Sequence, residues 1–305
     1  MRSSTELDIS YYTTQSTFTD PGALVAWVAA LDPDPVALRE AASGLVFHFW
    51  GNGDITEHGF APQRRAEIDL RYAEDIFARL FELNPAPLDA ERAPTERVVG
   101  CCRDFTLLFV AMARHHGIPA RSRTGFASYL MPGWAADHTI AEVWDADQGR
   151  WRLIDPQFAP GYRDPTDGRL LDVLDMPRDR FLVGADAWAA CRSGEANPDR
   201  FVVSPEQPAP FLRSWPQLRH NLVLDLAALN KHEMILWDIW GPLDLSAQVD
   251  ARTMTEMDAL SELLRDPATE IDRIRAAFED GALRVPAVVH TATPPAGVPR
   301  PITLR

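Results

Sequence analysis

The sequence contains few of the residues that build disulfide frameworks or basic binding surfaces. Its 305 residues include three cysteines, Cys101, Cys102 and Cys191, too few for the disulfide framework of a secreted protein. Lys231 is the single lysine, and the formal net charge at pH 7 is -14. A charge balance this acidic excludes a broad basic surface for nucleic acid or anionic lipid. The scarcity of cysteine favours a reducing, cytoplasmic location.

Long apolar runs are also missing. Nowhere do 18 apolar residues follow one another, so we expect no membrane-spanning helix. The first 20 residues are polar, and the first apolar run, Leu24 to Leu31, is short and amphipathic, which is not typical of a signal peptide. Hydrophobic residues make up 46% and charged residues 24% of the chain, which is ordinary for a soluble globular protein with a substantial core.

The order of the predicted elements indicates an α+β region at the centre of the chain. A helix is predicted from Asp34, closing near Gly44 or continuing to Trp50, and another over residues 67–83, where apolar residues recur every three or four positions. A third helix begins at the doubled cysteine and is stopped by the segment "GIP". Three strands follow, "ARSRTGFASYL", "HTIAEVWDAD" and "GRWRLIDPQF", the last two joined by a turn containing Gly149. We therefore expect a helix packed on an antiparallel β-sheet.

The C-terminal third is predicted to be mainly helical. Helical segments are expected over 186–196, over 218–241, and over 255–280 with a break at Pro267, before an extended proline-rich tail. We predict a single domain over 1–305. Its parts are a catalytic core at about 95–160, a helical N-terminal segment at 20–90 and a helical C-terminal extension at 180–285.

The doubled cysteine suggests nucleophilic chemistry. At a helix start, the positive end of the helix dipole and the free N–H groups favour a thiolate, and they can also receive a developing oxyanion. A cysteine nucleophile needs a base, usually histidine, and a third group that orients the imidazole. His138 opens one predicted strand and Asp155 ends the next, so the short turn between them brings both to the same end of a hairpin. The pattern favours a triad of one cysteine of this pair with His138 and Asp155.

The segment "GCCRDFTLLFVAMARHHGIPARSRTGF", followed by "DHTIAEVWDADQGRWRLIDPQF", resembles the transglutaminase-like superfamily. The resemblance covers about Val98 to Phe158, and the wider chain is similar to bacterial transglutaminase-domain proteins. It implies a papain-like α+β core. It also implies that the nucleophile is Cys102, the base His138 and the orienting carboxylate Asp155, with no metal or organic cofactor required.

Two features depart from the family pattern. Thr139-Ile140 follows the histidine where many relatives have an aromatic residue, a change that alters the acyl pocket but removes no triad group. The side chain that supplies an upstream oxyanion contact is not identified by a motif. His48 and Trp50 in "FHFW" are candidates, and an aromatic core segment with a hydrogen-bonded histidine explains them equally well.

Four further side chains are candidates for substrate binding. Cys101 is better explained as packing or as a wall of the site. Asp104 is a carboxylate in the first turn of the helix, a position that stabilises helices without any other role. Trp134 would line an acyl groove or lie in the core, and Asp137 would act electrostatically or simply be solvated.

We expect cysteine-dependent acyl transfer or hydrolysis, of the amidase, peptidase or transglutaminase type. The expected partners are a peptide, amide or thioester acyl donor and, for transfer, an amine acceptor, but neither nucleic acid nor a membrane. One alternative is a non-catalytic binding or scaffold protein with the same fold. A less favoured alternative is a metal protein using Cys101, Cys102, His115 and His116, because adjacent cysteines and adjacent histidines rarely converge on one ion.

Overall fold

The chain divides into two compact units in the computed structural model, which describes residues 9–207, 209–243, 249–265, 270–279, 281–295 and 297–305. The first unit comprises Met1–Ser122, Ile140–Tyr162 and Asp172–Met176; the second comprises Arg123–Thr139, Arg163–Leu171 and Pro177–Arg305. Both units combine helices with antiparallel strand pairs, so the predicted α+β class is confirmed. The prediction of one domain over 1–305 stays a prediction.

The helices of the first unit are α1 (Val25–Val28), α2 (Pro35–Leu45), α3 (Ala73–Leu83) and α4 (Cys102–His115). Helix α2 begins as predicted, because the Asp34 side chain accepts the N–H of Val36 and a proline occupies the first turn. It ends at Leu45, and the next residues form strand β1 (Val46–His48) instead of extending the helix towards Trp50.

The helix predicted over 67–83 is α-helical only from Ala73. Pro62–Asp69 is a 3₁₀ helix, and Leu70 is extended. The Glu67 carboxylate accepts hydrogen bonds from the side chains of Arg64 and Arg79 and from the N–H of Val99. These contacts, of which those with Arg79 and Val99 are distant in sequence, hold the segment around Glu67 in a conformation that the periodic pattern does not reveal.

Two strand pairs belong to the first unit. Strand β1 pairs in parallel with β2 (Val98–Gly100), with His48 opposite Gly100. Strand β4 (Ala135–Asp145) pairs in antiparallel fashion with β5 (Arg150–Ile154), with Ala141 opposite Ile154. The intervening turn contains Gly149 at a φ of 62°, as predicted. Helix α4 packs against α2, α3, β1 and β2, and Cys102 through Arg114 are all buried.

The strands of the second unit include parts of two strands that also run into the first, β4 and β3 (Ala120–Ala127). In this unit β3 pairs in antiparallel fashion with β6 (Phe181–Val183), and β4 pairs in parallel with β7 (Phe201–Val202). Strands β8 (Asp238–Ile239), β9 (Val288–Thr291) and β10 (Arg300–Thr303) form a separate antiparallel sheet. The tail predicted to be merely extended therefore contributes two paired strands.

The helices of the second unit are α5 (Gly184–Arg192), α6 (Ser214–Leu229), α7 (Ala251–Arg265) and α8 (Ile271–Glu279). The prediction of one helix over 218–241 is wrong after Leu229. The Asn230 amide donates to the carbonyl of Leu226, and Lys231 adopts a φ of 61°, which ends the helix. The predicted break at Pro267 lies outside the described residues. No helix in the described part of the chain is long and apolar enough to span a membrane.

Candidate functional site

The doubled cysteine lies at the junction of β2 and α4. Cys101 is the extended residue immediately before the helix, and Cys102 is the first helical residue. Both are buried, and both are free thiols. The Asp104 Oδ2 atom accepts the N–H of Cys101 at 2.8 Å, which holds the first turn in place. Cys102 thus occupies the turn whose N–H groups have no partner within the helix.

The Cys101 thiol holds its proton more tightly than an ordinary cysteine does. The pKa of the Cys101 thiol is raised well above its ordinary value, first by its hydrogen bond with the Cys102 side chain, then by burial and by the charge of Asp104. A thiol with a raised pKa keeps its proton at neutral pH and can donate it in a hydrogen bond to its neighbour. Because the thiolate is the nucleophilic form, Cys101 is poorly suited to attack a carbonyl.

Asp104 makes its described contacts inside the protein. Burial raises its pKa, and the adjacent Arg103 guanidinium, 3.1 Å from Oδ1, opposes that shift. Arg103 is itself 1% exposed and also donates to the carbonyls of Leu70 and Arg71. A Cβ atom on Gly100 would lie 2.6 Å from Asp104 Oδ2 and 2.9 Å from Val46 Cγ1, so glycine lets β2 approach this carboxylate without displacing either side chain.

The pairing of β1 with β2 sets the position of His48, one of the two candidate side chains for oxyanion binding. His48 lies opposite Gly100, and the N–H of Phe49 donates to the Gly100 carbonyl at 2.9 Å. His48 Nδ1 accepts the N–H of Gly51 at 2.9 Å, so the neutral ring carries its proton on Nε2. Trp50 is 49% exposed. Strand β1 therefore places His48 beside the residue that precedes the doubled cysteine, and Trp50 follows two residues after the end of that strand.

Asp155 directly follows β5 and is fully buried. Its N–H donates to the Val173 carbonyl at 2.9 Å, and its Oδ1 atom accepts the N–H of Gln157 at 3.0 Å. The buried Arg39 of α2 donates to the carbonyl of Phe158 at 2.8 Å, and so holds the segment after the carboxylate. The pKa of Arg39 is lowered because burial outweighs the attraction of Glu40 and Asp155. Nothing in the sequence pattern singles out Arg39.

His138 lies in the part of β4 that belongs to the second unit, and it is 1% exposed. Two aromatic rings approach the imidazole edge-to-face. Tyr129 has its ring centroid 6.1 Å away, and Phe181 has its centroid 6.2 Å away. The ring is therefore fixed by packing on two sides.

Helix α6 carries a buried polar stripe, which we define as Gln217, Asn221 and Asp225. These residues recur every fourth position and so share one face of the helix. The Asn221 amide donates to Asp137 Oδ1 at 2.9 Å and to the Gly125 carbonyl at 2.8 Å. The stripe therefore binds the residue next to His138 and also strand β3.

The third member of the stripe forms a buried ion pair with β3. Arg123 donates to both carboxylate oxygens of Asp225, at 2.9 and 2.8 Å, and the N–H of Thr124 donates to the same carboxylate. This stripe is not among the features predicted from the sequence. Polar residues every four positions within an apolar helix were the signal that could have found it.

The predicted site residues thus fall into two groups. Cys101, Cys102, Asp104, His48, Trp50 and Asp155 lie in the first unit, and His138, Asp137 and Trp134 lie in the second. In the first unit, the β1–β2 pairing brings His48 beside Gly100, next to the cysteines, whereas no described contact joins Trp50 to them. In the second, Trp134 and Asp137 flank the start of the strand that carries His138.

The cysteines and histidines at the two ends of α4 cannot bind the same metal ion. Cys101 and Cys102 lie at one end of the helix and His115 and His116 at the other, about 20 Å away at 1.5 Å per residue. Within the described ranges, no group of three or more His, Cys, Asp or Glu side chains could hold a metal ion.

Comparisons with known proteins agree with the sequence pattern in one region. Residues 65–156 match the transglutaminase-like superfamily, a range of less than a third of the chain that contains Cys102, His138 and Asp155. Curated proteins give no match. Among solved structures, "a Putative Cysteine Protease from Cytophaga hutchinsonii" aligns at 18% identity with a TM-score of 0.33. That alignment covers 58% of this chain and 45% of the other, so the chain spans less than half of that protein's length.

The structural alignment is too weak to establish a shared fold, whereas the family match is specific to one segment. It begins in the 3₁₀ helix before α3 and ends one residue after Asp155. It supports, in general terms, a cysteine-dependent enzyme. The resemblance that the motifs indicate is therefore confirmed: residues 65–156 match the transglutaminase-like superfamily.

Proposed function

We propose that this protein is a cysteine acyltransferase or hydrolase that forms an acyl-thioester on Cys102. The observation that carries the proposal is the placement of Cys102 as the first residue of α4, with Cys101 extended immediately before it. Cys102 occupies the first turn of α4, where free N–H groups and the helix dipole stabilise a thiolate. Cys101 has a raised pKa and keeps its proton. His138 serves as the base, and Asp155 orients and stabilises its imidazolium form.

In the first half-reaction, the Cys102 Sγ atom attacks the carbonyl carbon of an amide or thioester. A carbon–sulfur bond forms, and negative charge develops on the carbonyl oxygen. The N–H groups of the first turn of α4 stabilise that charge, with His48 Nε2–H or the Trp50 indole as the candidate side-chain donor. The bond to the leaving amine or thiol then breaks, and His138 gives the leaving group its proton.

In the second half-reaction, water or an amine attacks the thioester. His138 accepts the proton of the incoming nucleophile, and the carbon–sulfur bond breaks to regenerate the Cys102 thiolate. Water yields a carboxylic acid, and an amine yields a new amide. The balance between them depends on how well the acyl-enzyme is kept from water.

The register of the β4–β5 hairpin supports the roles of His138 and Asp155. Asp155 follows Ile154, which pairs with Ala141. His138 lies on the same strand β4, three residues before Ala141.

Intact-mass spectrometry tests the proposal. The purified protein is incubated with activated acyl donors such as p-nitrophenyl acetate and an N-acetylcysteamine thioester. We expect an added acyl mass on the wild type and on Cys101→Ala, and none on Cys102→Ala. Absence of any adduct on the wild type, or an equal adduct on Cys102→Ala, would overturn the proposal. A parallel reaction with glycine ethyl ester separates amide transfer from hydrolysis.

A further inference from the structure

Two arginines lie over one tryptophan at the start of the strand that carries His138. The guanidinium carbon of Arg200 is 5.0 Å from the centroid of the Trp134 ring, and that of Arg213 is 5.7 Å away. Trp134 is half-buried and immediately precedes β4. All three residues belong to the second unit. Such contacts hold arginine side chains in place while leaving their N–H groups available.

Backbone pairing sets the positions of both arginines. Ala135, next to Trp134, pairs with Phe201, so β7 brings the preceding Arg200 alongside the tryptophan. Val202 forms a bridge with Arg213, and the neighbouring N–H of Val203 donates to the Leu212 carbonyl. The cluster is therefore built on paired backbone and not on long surface side chains alone.

A strained residue also ties the two arginine segments together. Ser214 has a φ of 57°, in the left-handed region that non-glycine residues seldom adopt. Its hydroxyl donates to Asp199 Oδ1 at 2.8 Å, which links the residue after Arg213 to the residue before Arg200. Conformations of this kind persist where surrounding contacts hold them, and they are common at ligand sites.

Neither Arg200 nor Arg213 forms an ion pair within the described ranges. Other arginines of the second unit are paired with carboxylates: Arg123 with Asp225, Arg180 with Asp164, Arg192 with Asp258 and Arg265 with Asp186. Arg163 and Arg273 likewise form no described ion pair, so what distinguishes Arg200 and Arg213 is that both unpaired guanidinium groups lie against the same Trp134 ring. A carboxylate or phosphate oxygen matches their donor geometry.

We propose that Arg200, Trp134 and Arg213 form a subsite that binds an anionic group, a carboxylate or a phosphate, on the acyl substrate. This inference rests on the proposed function, since it identifies which acyl donors the enzyme prefers. Trp134 lies four residues before His138, which corresponds to about 13 Å along an extended strand. Acyl probes that test the subsite therefore carry the anionic group on chains of several lengths.

The kinetic test uses mono-p-nitrophenyl esters of straight-chain dicarboxylic acids, from succinic to dodecanedioic acid, and their methyl-ester counterparts. We expect p-nitrophenolate release to favour the free carboxylate by about tenfold for the longer chains, as two charge-assisted hydrogen bonds allow. The preference should disappear in Arg200→Gln/Arg213→Gln and persist in Arg273→Gln, an exposed arginine on α8. Chains ending in phosphonate show whether phosphate serves equally well. Equal rates for acid and methyl ester, or a preference unchanged in the double variant, would overturn the subsite.

A binding test on Cys102→Ala separates this inference from the catalytic proposal. Isothermal titration calorimetry measures the binding of sebacate and of octyl phosphate to a protein that cannot form a thioester. We expect at least one of the two to bind, with affinity reduced about tenfold or more in the double arginine variant and reduced less in Trp134→Phe. Binding that does not depend on the arginines, or no binding of either probe, contradicts the subsite whether or not Cys102 is acylated.

Discussion

The two units hold their candidate catalytic residues by different means. Around Cys102, much of the support is local in sequence, because Gly100 and Asp104 lie within two residues of it and the Asp104 carboxylate accepts the N–H of Cys101. Around His138, much of the support is distant, because Asn221 binds the neighbouring Asp137 across 84 positions of the chain. A local motif can be read from the sequence, whereas a distant polar contact depends on the assembled fold.

The difference extends to the buried charges. In the first unit, Arg103 has two backbone carbonyls as well as Asp104. In the second unit, both described donors from the Arg123 guanidinium go to the Asp225 carboxylate. Removing a buried carboxylate costs more where two described guanidinium donors face it, as at Asp225, than where one does, as at Asp104.

The largest expected effect on stability comes from removing one partner of the buried Arg123–Asp225 ion pair. Asp225→Ala removes the carboxylate that faces Arg123, and we expect it to lower the free energy of unfolding by about 3–5 kcal/mol. Asp104→Ala should cost about 2 kcal/mol, because Arg103 keeps its backbone carbonyls. Urea denaturation at pH 7 measures both. The apolar replacement Arg123→Met/Asp225→Leu should recover most of the loss, and a smaller loss for Asp225→Ala than for Asp104→Ala would reverse the comparison.

Mild acid should weaken the second unit through the helix that carries the stripe. His220 on α6 has its pKa lowered from 6.5 to about 4, chiefly by burial, while its Nε2 lies 2.7 Å from the Leu236 carbonyl. The unfolded chain therefore takes up this proton first as the pH falls. The contribution of neutral His220 to the free energy of unfolding is fully present above pH 6.5. It is lost as the pH falls towards 4, by up to about 3 kcal/mol.

The control for this pH dependence is His220→Gln, whose amide can still donate to the Leu236 carbonyl. Urea midpoints between pH 4 and 7 should change less steeply with pH in this variant than in the wild type. Parallel curves for the two proteins would show that another group governs the acid sensitivity.

A smaller effect is expected for the contact next to His138. Asn221→Ala removes the donor to Asp137 and to the Gly125 carbonyl, which should cost about 1–2 kcal/mol of stability. If the stripe positions β4, the rate of acyl-adduct formation should also fall by about tenfold, and its pH profile should shift. Asn230→Ala, at the end of the same helix, serves as the control and should leave rate and profile unchanged. An unchanged profile in Asn221→Ala would make the stripe purely structural.

The smallest effect is expected at the bystander thiol. Cys101→Ala removes a side chain that stays protonated, so the adduct-formation rate should change by less than about threefold. Cys102→Ala in the same assay should reduce the rate to the background of free reagent. A loss in Cys101→Ala as large as that in Cys102→Ala would mean that the thiols act together.

The order of the elements around the doubled cysteine could be predicted because it rests on short-range rules. The helix stop at Gly117 and the turn at Gly149 both require positive φ, which glycine supplies without strain. The break before α3 could not be predicted, since Glu67 takes its partners from Arg64, Arg79 and Val99. Likewise, helix α6 ends at Leu229 because of the conformations of Asn230 and Lys231. The apolar pattern of the sequence continues past this point and so conceals the end of the helix.

For the candidate site, the sequence identifies the proposed reactive residues but not the side chains that hold their segments in place. Cys102, His138 and Asp155 lie in a recognisable motif, and the family match contains all three. Arg39 donates to Phe158, 119 positions away, and nothing in the surrounding helical pattern distinguishes it from a solvated arginine. Its buried position follows only from the packing of α2.

The most direct test of the central claim is the pH dependence of Cys102 alkylation. In a Cys101→Ala/Cys191→Ala background, Cys102 is the single cysteine, and its reaction with iodoacetamide can be followed from pH 5 to 9 by intact mass. We predict rapid labelling near neutral pH that is slowed by His138→Ala and loses its low-pH reactivity when the protein is unfolded. An ordinary free-thiol profile, with its midpoint near pH 8.5 and no response to His138→Ala, would contradict the assignment of Cys102 and His138 as nucleophile and base.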